Sequence, residues 1–448
     1  MAVSTASKYL MTEGNVKKKI IAFAIPLFIG QLFQQMYNTA DSLIVGRLIG
    51  TSALAAVTAT GSLIYLIVGF FMGFSTGAGV VIATDIGAQH DEEVSKGVHT
   101  TVAMGIVATV IMTALGVLFT PQILKWMDTP GDVLPEATLY LRVYFAGSIG
   151  LVFYNLLVGI LRASGDSKHP LYYLIFSSLL NVVLDIVLIR FAHMGVDGAA
   201  LATAISQFVS AVMVFVRLLR EHSIIRVIPS KIRFHKHKLL EIIRIGLPTA
   251  LQACVIDLAN MMIQSYINSF GKMAMAGIGA SNKLEGFCFL PVNSFSMALS
   301  TFVAQNYGAG KKDRMREGIT FGLLCTVVIV GILGAGMFFF SPQLVRFFDS
   351  TPEVISYGAL RGRICGFFFC LCGFSHVASA VMRGIGKPVV PTVVMLVCWC
   401  AVRVLTLMTI GQFFHNILLV IWLYPITWTL STITYIFYLL SLRKKGII

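Results

Sequence analysis

The chain has 448 residues, 57% of them apolar and only 12% charged, with 34 Lys+Arg against 20 Asp+Glu and a net charge of +14. Soluble domains carry roughly a quarter charged residues, so this composition excludes a string of soluble domains and points to a chain immersed in lipid. The positive excess is spread over short polar segments between apolar runs, which argues against a nucleic-acid-binding face.

A helix that crosses a membrane needs about 20 mostly apolar residues. Twelve stretches qualify, near 20–46, 54–84, 98–118, 138–161, 171–190, 197–218, 242–270, 275–305, 319–340, 359–382, 390–411 and 417–440. Residues 1–19 are polar, and the first apolar run lacks a small-residue cleavage site behind it, so it is read as a span rather than a leader.

The first span reads PLFIGQLFQQMYNTADSLIVG, with Gln34, Tyr37, Asn38 and Asp41 three or four residues apart on one stripe. Pro26 opens it, and a proline inside a helix frees a carbonyl and permits bending. The fifth span contains SSLLNVVLDIVL, which sets Ser177, Asn181 and Asp185 on one face, and the sixth adds Thr203 and Gln207. Apart from Asp85 near a helix end, Asp41 and Asp185 are the only acids well inside first-half spans. Two carboxylates at membrane depth cannot both stay charged without a proton or cation between them. They are either one ion site or two unrelated buried acids, and the amide beside each favours the ion site.

The longest polar segment, about Arg217 to Arg244, carries eight Lys/Arg with His222, His235 and His237. It reads as a linker attracted to anionic lipid rather than as a metal site. The domains are therefore drawn as 1–220, a linker 221–241, and 242–448.

The second half repeats the first about 221 positions on. GAQHDEEVSKG (87–97) answers to GAGKKDRMREG (308–318), Asp128 to Asp349, Arg142 to Arg363, and Arg162, Gly165 and Pro170 to Arg383, Gly386 and Pro391. Pro248 opens the seventh span as Pro26 opens the first, allowing a one-residue indel. Six spans per half make the repeat parallel, an arrangement typical of transporters. The polar chemistry is not repeated: Met262, Val402 and Thr406 stand where the first half has Asp41, Asn181 and Asp185. The acids here are Asp257 and Glu285. Asp257 is expected to pair with Lys283 or Arg403, or else to meet substrate, and His376 is either a proton relay or a neutral cross-helix contact.

With both termini inside, the inward segments hold 24 Lys/Arg and the outward loops 5, which places the termini in the cytoplasm. All eight cysteines fall in second-half spans without a CxxC, as packing residues rather than disulfides or metal ligands. No Walker A or HExxH occurs, and the Gly-rich strings sit within or beside membrane spans rather than after a strand, so neither an enzyme nor an ATP-driven pump is expected.

Several strings resemble the multidrug and toxic compound extrusion (MATE) family: the first-span string above, GILRASGDSKHP after the fourth span, LNVVLDIVLI in the fifth and FVAQNYGAGKKDR after the eighth. The resemblance covers about residues 15 to 440. It implies an all-α membrane protein of twelve helices in two parallel six-helix lobes, arranged as a V. It also implies export of organic, often cationic, compounds in exchange for protons or sodium ions from the cell membrane. Carried over, it makes Asp41, Asn181, Asp185 and Thr203 the cation site with Tyr37 beside them, Gln34 and Asn155 lining residues of the first-lobe cavity, and Pro26 the bending point. Asp257 is a candidate substrate contact. An acid is lacking in the tenth span, where another branch of the family has one. No cofactor or resident metal is expected, only the coupling ion, H+ or Na+. The expected partners are small organic substrates and the bilayer, with a monomer as the working unit and no nucleic acid. The alternative is a flippase for a lipid-linked oligosaccharide, whose pyrophosphate would call for basic residues such as Lys283 and Arg403.

Overall fold

In lipid a backbone must satisfy its own N–H and C=O groups, and apolar runs of this length do so as helices. The computed structural model describes residues 10–448 apart from Gly50, Asp128, Pro130 and Asp132, so Asp128 of the repeat lies outside it. The regular secondary structure of the described residues is helical, with no strand among them. Eleven helices are long and apolar enough to cross a membrane, and a pair bent by 48° makes a twelfth span.

In order, the first six spans are α1 (Val16–Leu48), α2 (Thr51–Gly87), α3 (Asp91–Trp126), the bent pair α4 (Leu134–Ala146) and α5 (Ser148–Ala163), α6 (Lys168–Ile186) and α7 (Val196–Arg220). The second six are α8 (Lys236–Asn268), α9 (Lys272–Gly308), α10 (Lys312–Arg346), α11 (Pro352–Gly384), α12 (Val389–Met395) with α13 (Val402–Phe413), and α14 (Ile417–Lys444). A π-helical turn, Val187–Phe191, ends α6, and another, Leu396–Ala401, joins α12 to α13.

Two compact units result: Ile29–Ala250, and Met11–Phe28 together with Leu251–Ile448. The chain passes between them inside α1 and again inside α8, each time just beyond a helix-interior proline, Pro26 and Pro248. In the first unit α5 packs against α2, α3 and α7. The start of α8 lies so close to α2 that a β-carbon on Gly77 would reach 2.6 Å from Gly246 Cα, the close approach that small residues permit between membrane helices.

The segment after α7 is clasped to this unit. Ile225 and Val227 are buried, and the buried His99 donates from Nδ1 to the Ser95 carbonyl at 2.7 Å, leaving Nε2 to accept the Ile228 N–H at 2.9 Å. Lys238 is buried among Asp85 (2.7 Å), Glu241 (2.9 Å) and Glu93 (3.2 Å), so its charge is fully met.

In the second unit the N-terminal segment enters the core. Ile20 and Phe23 pack with Leu299, Phe302, Val381 and Leu442, while Met11 N–H donates to Gln305 Oε1 at 2.8 Å and Arg314 donates to the carbonyls of Gly14 and Met11. Five of the eight cysteines lie in one apolar cluster with Trp399 and Trp428.

Candidate ion site in the first unit

Helical periodicity places Tyr37 and Asp41 one turn apart on α1, Asn181 and Asp185 one turn apart on α6, and Thr203 on α7. The fold brings all five together. Asp185 is fully buried and Asn181 nearly so. The carboxyl groups of Asp41 and Asp185 lie next to each other, and Oδ1 of each is buried with no partner among the described residues. The Asn181 amide bridges the neighbouring helices: with its nitrogen toward the acid, it donates to Asp185 Oδ2 at 3.1 Å and its oxygen accepts the Thr203 N–H at 3.2 Å. The same amide lies 3.3 Å from the Thr203 hydroxyl, which is beside Tyr37.

Tyr140 and Tyr144 complete the wall. They stack with centroids 6.4 Å apart, beside Tyr37 and Asp41. The sequence reading passed over them, although tyrosines four apart on a membrane helix are a readable polar stripe. Their approach depends on Gly147, where α4 bends into α5 and a β-carbon would overlap Ala204 of α7. Ser177, on the same face of α6, bonds back to the Leu174 carbonyl at 3.1 Å. Gln34 is exposed, and the Asn155 amide donates to the Leu151 carbonyl on its own helix at 2.8 Å. Neither is joined to the acids by a hydrogen bond among those described.

The interior of the second unit has the opposite character. Arg361 Nη2 lies 2.6 Å from Glu285 Oε2, and its Nη1 donates to Ser281 Oγ at 3.2 Å. Arg403 donates from Nε to Thr427 Oγ1 at 2.9 Å. The expected pairing of Asp257 with Lys283 or Arg403 is not formed among the described residues: Asp257 is half-buried without an ion pair, and Lys283 is exposed, with Phe348 at 5.9 Å. The cation that takes an acid is Arg361, because α9 and α11 pack along their length and bring Glu285 to it. His376 packs edge-on to Phe289 and Trp399, and its Nε2 has no partner among the described residues.

The MatE family model matches the chain twice, over residues 26–187 and 248–409, each copy beginning on the interior proline. The chain belongs to the MATE family. Relatives include the probable multidrug resistance protein YoeA of Bacillus subtilis, 28% identical with 99% of each chain covered, and the probable multidrug resistance protein NorM of Thermotoga maritima, 28% identical over 94% of this chain and 92% of that one. A MATE crystal structure in the bent conformation superposes with a TM-score of 0.91 at 23% identity, covering 98% of both chains. The likeness to it is one of fold. For a MATE protein, the twofold match also identifies the internal repeat as two copies of one ancestral unit.

Proposed function

We propose that this MATE protein is a secondary active multidrug exporter of the cell membrane, with both termini cytoplasmic, that moves organic and often cationic compounds outward in exchange for protons or sodium ions. The observation that carries the reading is the contact between the Asp41 and Asp185 carboxyls inside the first unit. Two carboxyls side by side in a buried site cannot both stay charged unaided, so the pair supports a bound proton or sodium ion. Loss of either ion leaves negative charge in the unit, which favours an organic cation. Exchange follows when ion and drug bias one conformational equilibrium in opposite directions. Pro26 supports such an equilibrium, since it interrupts α1 where the chain changes units. The multidrug names of the relatives agree with this substrate class.

The test is dye efflux from proteoliposomes under an imposed pH or sodium gradient. Acceleration by one gradient identifies the ion, and efflux indifferent to both refutes antiport. Orientation is checked by single cysteines: one at Lys311 is expected to react only from the cytoplasm, and one at Lys272 only from outside.

A further inference from the structure

The second unit holds a cavity of about 290 Å³, whose lining includes Asn260, Glu285, Arg361, Trp399, Arg403 and Tyr424. Its two arginines differ in how their charge is met. Arg361 is answered by Glu285 at 2.6 Å. Arg403 is only 2% exposed, forms no ion pair, and keeps Nη2 without a partner among the described residues. The Arg403 guanidinium lies over the rings of Tyr424 (4.3 Å) and Trp399 (5.0 Å). The cavity lining thus carries one positive charge in excess. Asp257 is not part of that lining, although Ile256 and Asn260 on either side of it are.

We propose that this cavity is a binding site for a small aromatic organic anion, with the Arg403 guanidinium meeting its carboxylate and Trp399 and Tyr424 stacking on its ring. A buried guanidinium without a counter-ion is unfavourable, and its planar fork fits a carboxylate. Aromatic walls suit a flat apolar body. The volume lies at the low end of the roughly 300–1,000 Å³ range of ligand pockets, enough for one or two fused rings. The inference goes beyond the export reading, because the acid site of the first unit favours cations whereas this cavity favours an anionic or zwitterionic substrate.

The experiment is a titration of the purified full chain with naphthoate, its neutral amide naphthamide, and naphthylmethylammonium, read by quenching of tryptophan fluorescence. Naphthoate is expected to bind at least about tenfold tighter than naphthamide, as for a buried charge meeting its partner. Arg403→Gln should erase that preference. Glu285→Gln, which removes the one lining anion, should enlarge it, and a general loss of structure cannot move the two variants in opposite directions. Equal binding of acid and amide, preference for the ammonium, or a naphthoate preference that survives Arg403→Gln overturns the proposal. Should Arg403→Gln fail to fold, a preference unchanged or reduced in Glu285→Gln overturns it as well. No ion gradient enters the titration, so its failure leaves the export reading standing, and the converse holds.

Discussion

In the first repeat Thr203 sits against Asn181 and Tyr37, with Tyr140 stacked nearby; counted 221 positions on, Thr203 becomes Tyr424 and Tyr140 becomes Arg361. Tyr424 in turn lies under both buried arginines, 4.9 Å from Arg361 and 4.3 Å from Arg403. The same scaffold positions therefore point side chains into both interiors, but the charges stand at different ones: Arg361 replaces the neutral Tyr140, while Asp41 and Asp185 give way to Met262 and Thr406. Helix periodicity and small residues at crossings fix where a side chain points, and these features survive in both copies. What a buried charge then requires differs. The two acids lie side by side, Arg361 is neutralised by a fixed glutamate, and Arg403 forms no ion pair among the described residues.

The largest effect that tests this contrast comes from the acids. Asp41→Asn and Asp185→Asn should each reduce gradient-driven dye efflux to the leak seen without a gradient, while expression and fold persist, because the amide is nearly isosteric. The double variant should be no worse than either single one, since both remove one coupled unit. Efflux retained in either variant would move the ion site elsewhere.

Arg361 should behave as a structural charge. Arg361→Gln leaves Glu285 buried and unpaired, a defect that costs about 3–5 kcal/mol. Its thermal midpoint in detergent should fall well below that of Asp41→Asn, and equal midpoints would mean the two interiors are balanced alike.

The two prolines offer a smaller comparison. Restoring the backbone hydrogen bond in Pro26→Ala should stiffen α1 and slow efflux several-fold, with stability kept. Pro248→Ala should slow it less, because α1 carries Asp41 whereas its counterpart in α8 is Met262. Equal slowing would assign both prolines the same role.

The smallest effect belongs to Asp257→Asn. Asp257 makes no ion pair among the described residues and lies outside the cavity lining, so its change should leave the gradient-driven rate across a dye panel close to that of the unaltered protein. Loss of coupling there would overturn the one-sided assignment of the ion site.

Sequence alone determined the twelve spans, the repeat, and the residues of the acid cluster on α1, α6 and α7. Hydropathy and helical spacing are read along the chain, and a polar stripe on an apolar helix must face inward wherever that helix packs. The three-dimensional arrangement decided the rest. That Arg361 rather than Lys283 or Arg403 takes an acid follows from how α9 and α11 cross. That Tyr140 and Tyr144 join the site depends on the bend at Gly147. That the compact units divide within α1 and α8, with residues 221–241 clasped to the first through His99 and Lys238, rests on contacts between segments far apart in sequence. Pairing of this kind is set by which helix faces meet, and no property of a single segment encodes the identity of its neighbour.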